Sequence, residues 1–340
     1  MPAVNRIGLG KLPAKQLAAL LARHARADPS VLVGPGIGED AAVIDMGERC
    51  LVAKTDPVTF ASDEIGWYAV HVNANDVACC GARPRWFLAT LLLPEHDTTA
   101  ELVEAIFEQI ATACDELDVT LCGGHTEITH GLDRPIVIGQ MLGEVSHDAI
   151  IRGAGARAGD AIILTKGIAV EGTALIAREK PDALAGVMDA QELERCAGFL
   201  KCPGISVVED ARLALEAGQV HALHDPTEGG IATGLWELAE AAGLGLRVDS
   251  DRLPVLPECA LMCRHLGLDP LGLIGSGSLL IAAPGEDARR IADKLTDANI
   301  AATIIGELTS AHEGRRLRSA DGSLVPLPQF SRDELTRLFE

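Results

Sequence analysis

The sequence predicts a mixed α/β protein built as two successive units. Helical and strand-like segments alternate along 340 residues with short links, a length that suits roughly two domains of ~150 residues. A small, glycine-rich stretch at 152–160 (RGAGARAGD) interrupts the alternation near the middle and marks the boundary between a unit 1–152 and a unit 153–340. The balance is globular: 48% of residues are apolar and 23% charged, too apolar for disorder. Only 3% are aromatic, so the core must be made of Ala, Leu, Val and Ile.

In order, 12–27 reads as an amphipathic helix with Pro13 in its first turn and Leu17, Leu20 and Leu21 on one side. The short strand 31–33 runs into the glycine loop 34–40, and 41–45 continues as a strand. Residues 50–56 form a strand ending in Asp56. The stretch 64–80 has helical length and carries Asn73, Asn75 and Asp76. A strand at 86–93 precedes a helix at 98–117, where Leu102, Ile106 and Ile110 are spaced by four. The strand 119–122 delivers Gly123-Gly-His-Thr-Glu127 at its end, and 135–145 is a long strand. Beyond the boundary come a strand at 161–164, a helix at 205–217, and a loop at 225–230 that introduces a helix to residue 242. A strand at 246–248, another at 278–282, a helix at 285–298 and a strand at 302–307 complete the pattern.

Lys and Arg number 29 against 49 Asp and Glu, a net charge of −20. Displacing counterions from a nucleic-acid backbone needs basic groups, so a nucleic-acid partner is excluded. A polyphosphate remains open to an acidic chain when backbone N–H groups and Mg²⁺ supply the positive charge. The opening Met-Pro-Ala-Val-Asn-Arg lacks the apolar core of a signal peptide, and no membrane span is expected. Nine scattered cysteines, an odd number, suit a reducing compartment, so the cytoplasm is expected. Cys79-Cys80 and Cys259-x3-Cys263 lack a second pair at zinc-site spacing and read as core residues.

Four constellations carry chemistry. The first is Gly34-x-Gly36-x-Gly38-Glu39-Asp40, a tight turn or a phosphate cradle whose carboxylates hold Mg²⁺. A dinucleotide- or S-adenosylmethionine-type loop competes with it, but requires a helix straight after Gly38. The second is Asp56 with Asn75 and Asp76. Asp76 lies in an Ala/Val/Cys-rich run, where a cation would offset the cost of burying its charge; a solvent-facing Asp is the alternative. The third is Gly123-Gly124-His125, with His125 a metal ligand, a proton shuttle or merely hydrogen-bonded. The fourth is Asp225-Pro-Thr227-Glu-Gly229-Gly230 at a helix start, an anion site or a plain cap. Serine-elbow, zincin and P-loop motifs are absent from the sequence.

Taken together, GIGEDAAVI (36–44), KTD (54–56), NDVACCGARP (75–84), GGHTE (123–127) and HDPTEGGIATGLWELAEAAGLGL (224–246) resemble one superfamily. It comprises aminoimidazole ribonucleotide (AIR) synthase, thiamine-monophosphate kinase, selenophosphate synthetase and the hydrogenase-maturation protein HypE. The resemblance implies a PurM-like α+β fold, with an N-terminal sheet pairing into a homodimer barrel and a C-terminal split β-α-β domain. It implies Mg²⁺ and ATP as cofactors, bound in a cleft of the N-terminal domain at the dimer interface. Carried over by motif, Asp40, Asp56 and Asp76 hold the metal, with Glu39 less secure because the family commonly shows Asp there. Gly36, Gly38, Asn75, Gly123, Gly124, Thr227, Gly229 and Gly230 contact the nucleotide, and Lys11 and His125 are the catalytic candidates. The sequence ends Arg337-Leu-Phe-Glu340 without the terminal cysteine of HypE, and no cysteine precedes Lys11 as in selenophosphate synthetases. The resemblance therefore lies with HypE-like proteins lacking that cysteine. It implies phosphoryl transfer activating an unidentified carbonyl-, phosphate- or chalcogen-bearing small molecule. A non-catalytic ATP-binding partner protein in metallocentre maturation is the alternative.

Overall fold

The computed structural model describes residues 10–339 apart from Pro13, Phe60 and Ser62, so the expectations for the first six residues, Pro13 and Glu340 lie outside the described residues. The first part of the chain runs α1 (Ala14–His24), β1 (Val31–Val33), β2 (Ala42–Asp45), β3 (Cys50–Val58), α2 (Ile65–Cys79), β4 (Arg83–Pro94), α3 (Ala100–Glu116), β5 (Thr120–Thr129) and β6 (Ile136–Val145). Its six strands form one sheet in the order β1-β2-β3-β6-β4-β5.

Alternation builds this sheet. Along β4 and β6, Phe87, Leu91, Val137 and Met141 are wholly buried, while Leu88, Leu92, Ile138 and Leu142 on the other face are half-buried. The buried face packs on α2 and α3. Helix α2 is buried nearly all round, including the polar His71, Asn73, Asn75 and Asp76, whereas α3 buries only Ile106, Ile110, Ala113 and Cys114. Thr99 caps α3 by accepting from the Leu102 amide at 3.2 Å. Residues 123–127, expected to follow the strand 119–122, lie inside β5. This edge strand runs parallel to β4 and is exposed along most of its length. A Cβ on Gly124 would sit 1.9 Å from the Ala89 oxygen, so the glycine serves the close approach of β5 to β4.

The second part runs β7 (Ala161–Thr165), α4 (Val170–Glu179), α5 (Ala190–Ala197), α6 (Val208–Ala217), β8 (Ala222–His224), α7 (Gly230–Ala241), β9 (Gly245–Asp249), α8 (Pro257–Leu266), β10 (Leu280–Ala283), α9 (Gly285–Asp297), β11 (Ala302–Thr309), β12 (Arg315–Arg318) and β13 (Leu324–Pro326). Its sheet has the order β13-β12-β9-β11-β7-β10-β8. Strands β7 and β10 are continuous apolar runs because both faces are covered. Ile163 and Ile281 pack with Ala211 and Ala214 of α6 and Ile291 and Leu295 of α9. The opposite face joins the larger core. Helices α4, α5 and α8 and strands β8, β12 and β13 were not expected from the sequence.

The two parts meet along a tight seam. A Cβ on Gly38 would lie 2.7 Å from the Glu237 oxygen of α7, and one on Gly153 would lie 2.3 Å from the Gly38 oxygen. Glycine at these points brings the 34–40 loop against the second part. Among the described residues, no helix is long and apolar enough to cross a membrane.

Candidate functional site

A cleft of about 740 Å³ opens along this seam. Its walls are α1, the 34–40 loop, β3, and the β8–α7 connection. Leu17 and Leu21 of α1 line one side, while Asp40, Asp56, Asp76, Asp225 and Glu237 line the other with Lys54 and His224 among them. A depression of similar size around Trp236 and Arg315 has no such convergence of carboxylates.

Each acidic group arrives from a different element. Asp40 ends the glycine loop and lies 2.8 Å from Nδ1 of His224, the last residue of β8. The other ring nitrogen of His224 lies 3.1 Å from Glu237 on α7. Burial alone would depress the His224 pKa, but the two carboxylates outweigh it and raise it well above the ordinary value. The ring is therefore an imidazolium donating from both nitrogens. Lys54, inward from the end of β3, places Nζ 2.8 Å from Asp76 and 3.2 Å from Asp56.

Asp76, near the end of α2, is buried, and that burial pushes its pKa up to about 6 against the pull of Lys54. Asp225 is 2% exposed, and burial, followed by the charges of Asp76 and Asp40, raises its pKa well above the carboxylate range. One of its oxygens accepts from the Cys79 thiol at 3.5 Å; among the described residues the other has no hydrogen-bond partner. Ligand atoms of Asp40, Cys79 and Asp225 lie within 4.8 Å of one another. Several carboxylates buried in one place, one with an orphaned oxygen, fit the oxygen-rich surroundings of a hard divalent cation.

Lys11 sits at the cleft mouth, where Nζ is 2.6 Å from Glu228 and donates to Thr227 Oγ1 at 3.1 Å. Gly36, Gly38 and Glu39 line the cleft; Glu39 accepts from the Gly153 amide at 3.4 Å, and burial raises its pKa. The structure thus gathers Lys11, Gly36, Gly38, Glu39, Asp40, Asp56, Asp76 and Thr227 in one place.

Other candidates are placed elsewhere. Asn75 is wholly buried, and its carboxamide bridges the seam by donating to the Ile205 oxygen and accepting from the Val207 amide, both at 2.8 Å. Both its ends are thereby engaged in holding the two parts together. Gly123, Gly124 and His125 lie along β5, outside the cleft lining of the chain, with His125 exposed and 3.3 Å from Glu127. The Gly229 amide donates to Asp333 at 2.7 Å, so it is not free for a phosphate. A Cβ on Gly230 would meet the Leu271 and Leu273 oxygens at 2.6 Å, so this glycine serves packing.

Cys79, Cys80, Cys259 and Cys263 are buried as expected, with Cys79 also beside Asp225, whereas Cys122 and Cys202 are exposed. After Gly38 the chain forms strand β2 and no helix, which removes the dinucleotide-type reading. Lys54, His224 and Glu237 escaped residue-level reasoning, although the KTD and HDPTEGG segments already contained the first two.

Family models describe two portions of the chain: the AIR synthase related protein N-terminal domain matches 38–145 and the corresponding C-terminal domain matches 157–317. A Methanocaldococcus jannaschii protein named for hydrogenase expression and formation is 32% identical, over 87% of this chain and 88% of its own. The carbamoyl dehydratase HypE of Cupriavidus necator is 31% identical, over 88% and 86%. Among solved structures, HypE in complex with ATP matches with a TM-score of 0.72 at 26% identity, over 93% of this chain and 91% of that one. HypE in a HypE–HypF complex shares the fold with a TM-score of 0.75 at 20% identity, over 92% and 99%. The chain belongs to the AIR synthase-related family, in its HypE branch.

Proposed function

We propose that the chain is a Mg-ATP-dependent enzyme with a role in hydrogenase-type metallocentre maturation, activating a small carbonyl-, phosphate- or chalcogen-bearing substrate by phosphoryl transfer. The observation that carries this reading is the convergence of Asp40, Asp56, Asp76 and Asp225 around Lys54 in one cleft. The ATP complex of a HypE relative supports the nucleotide, and the HypE–HypF complex supports a maturation partner.

In this reading Asp40, Asp76 and Asp225 hold magnesium, with Asp56 beside them. The ion supplies neutralisation of charge on the transferred phosphoryl group. The protein's own part is positioning. His224 and Glu237 fix Asp40 from behind, and Lys54 orients Asp56 and Asp76. Lys11 presents a cation at the cleft mouth, anchored on Thr227 and Glu228. Because these groups come from both parts of the chain, the Asn75 bridge helps hold their alignment. The apolar side chains Leu17 and Leu21 of α1 line one wall of the cleft. The exposed β5 edge, carrying Gly123, Gly124 and His125, supports a homodimer in which that edge is covered.

Thermal melts with ATP or S-adenosylmethionine, each with and without Mg²⁺, test the ligand; stabilisation by Mg-ATP alone is expected. Turnover of ATP by the purified chain then tests catalysis. Tight ATP binding with no turnover, alone or with a maturation partner, would leave the non-catalytic binding role in its place.

A further inference from the structure

Three side chains of metal-ligand type meet at one end of the first sheet, away from the cleft. Cys50 opens β3 and pairs in register with Asp45 at the end of β2 on one side and with Val145 at the end of β6 on the other. His147 follows Val145 by two residues, in the short turn His147–Ala149. Strand pairing alone therefore delivers all three residues to one corner.

There, His147 Nε2 lies 3.1 Å from Asp45 Oδ1. The ligand atoms of Asp45, Cys50 and His147 all fall within 4.8 Å of one another. The Gly47 amide donates to the same Asp45 oxygen at 2.8 Å and fixes the carboxylate. Cys50 is 1% exposed, whereas the side chains of His147 and Asp45 are 44% and 40% exposed. The thiol is the floor of a shallow corner, and the imidazole and carboxylate form its open rim.

We propose that Asp45, Cys50 and His147 form a binding site for a borderline transition-metal dication, zinc foremost. One sulfur, one nitrogen and one oxygen donor at these separations suit tetrahedral coordination with water in the fourth position. The set does not suit magnesium, which prefers oxygen ligands. Binding forms the metal–sulfur bond as the thiol proton leaves to solvent. Asp45 and Arg152 are the charged groups acting on the thiol, Asp45 opposing loss of that proton and Arg152 favouring it. A bound ion would tie the β2–β3 hairpin to the exit of β6. From there the chain runs on to Gly153, whose amide reaches Glu39 beside the cleft.

The test uses the full chain with excess Mg²⁺ present, titrated with Co²⁺ as a spectroscopic stand-in for zinc. The proposal predicts a sulfur-to-cobalt charge-transfer band and tetrahedral visible bands that saturate at one equivalent and disappear on adding Zn²⁺. Cys50→Ser should abolish the charge-transfer band. His147→Ala, at an exposed position compatible with folding, should weaken cobalt binding by at least about tenfold. Cys79→Ser, which changes the thiol beside Asp225, should leave the band intact. No thiolate band in the wild type, a band that survives in Cys50→Ser, or one lost in Cys79→Ser would overturn the assignment.

Discussion

His224 donates from Nδ1 to Asp40 at 2.8 Å, joining the last residue of a second-sheet strand to the loop that precedes β2 of the first. Glu237 holds the other ring nitrogen at 3.1 Å. The charged ring thus ties the floor of the cleft to the packing of the two parts, and binding and folding share one set of contacts.

His224→Gln should destabilise the protein by about 3 kcal/mol, the scale for removing one partner of a buried ion pair and leaving the other uncompensated. The folded pKa of His224 is raised above its unfolded value. Its contribution is therefore complete below the unfolded pKa and is lost as pH rises through the folded one. Urea denaturation at a series of pH values should show wild-type stability falling in the alkaline range, with that part of the slope gone in the variant. Equal pH dependence in both proteins would rule out the charged bridge.

Asp333 acts from the far end of the chain. Its carboxylate accepts from the amides of Gly229, Ile274 and Leu335 at 2.7, 3.3 and 2.8 Å. It thereby fixes the loop carrying Thr227 and Glu228, which anchor Lys11. Asp333→Ala leaves buried donors unpaired and should cost about 2 kcal/mol or more. It should also weaken ATP binding several-fold by loosening that loop. Calorimetric titration of ATP, performed well below the melting temperature, separates the two effects; unchanged affinity would confine Asp333 to stability.

Among the described residues strand β5 is paired on one side only, and Ile128 on it is 60% exposed. An exposed edge with apolar surface invites pairing with a second copy. Light scattering should therefore return twice the 35.7 kDa chain mass, and Ile128→Lys should shift the population toward the single-chain mass. A single-chain mass for the wild type at micromolar concentration would contradict the homodimer.

Periodicity made the first sheet and its helices legible: α3 with its apolar spacing of four, and β3 and β6 with their apolar runs, follow the expected bounds closely. Three of the cleft's carboxylates were legible because each stands beside a glycine, at a strand end or on an otherwise apolar helix. Asp225 was harder to read, because a helix start preceded by Asp and Thr is equally a plain cap, and only the fold shows it buried opposite Asp40. Gly123 and Gly124 stand inside β5 rather than beyond a strand end, and Gly124 lets β5 approach β4. A polar residue beside Asp76 reads as a ligand group, and only the fold shows that the Asn75 carboxamide spans the seam. Helices α5 and α8 are short, yet each carried a local signal: Asp189 and Glu192 form a capping box on α5, and Cys259, Met262 and Cys263 of α8 fall at helical spacing.

The most direct measurement is the melting temperature of wild type and Asp76→Asn, each with and without Mg-ATP. Burial raises the folded pKa of Asp76 to about 6, so the ionised carboxylate disfavours the ligand-free fold at neutral pH, and that penalty fades as pH falls through 6 toward the unfolded value. The variant should therefore melt at the same or a higher temperature than wild type without ligand. Wild type should gain about 2.7 kcal/mol from ligand at 100-fold saturation, and the variant should lose most of that shift. A shift undiminished in Asp76→Asn would remove Asp76 from the site, and no Mg-ATP effect in either protein would contradict the nucleotide site itself.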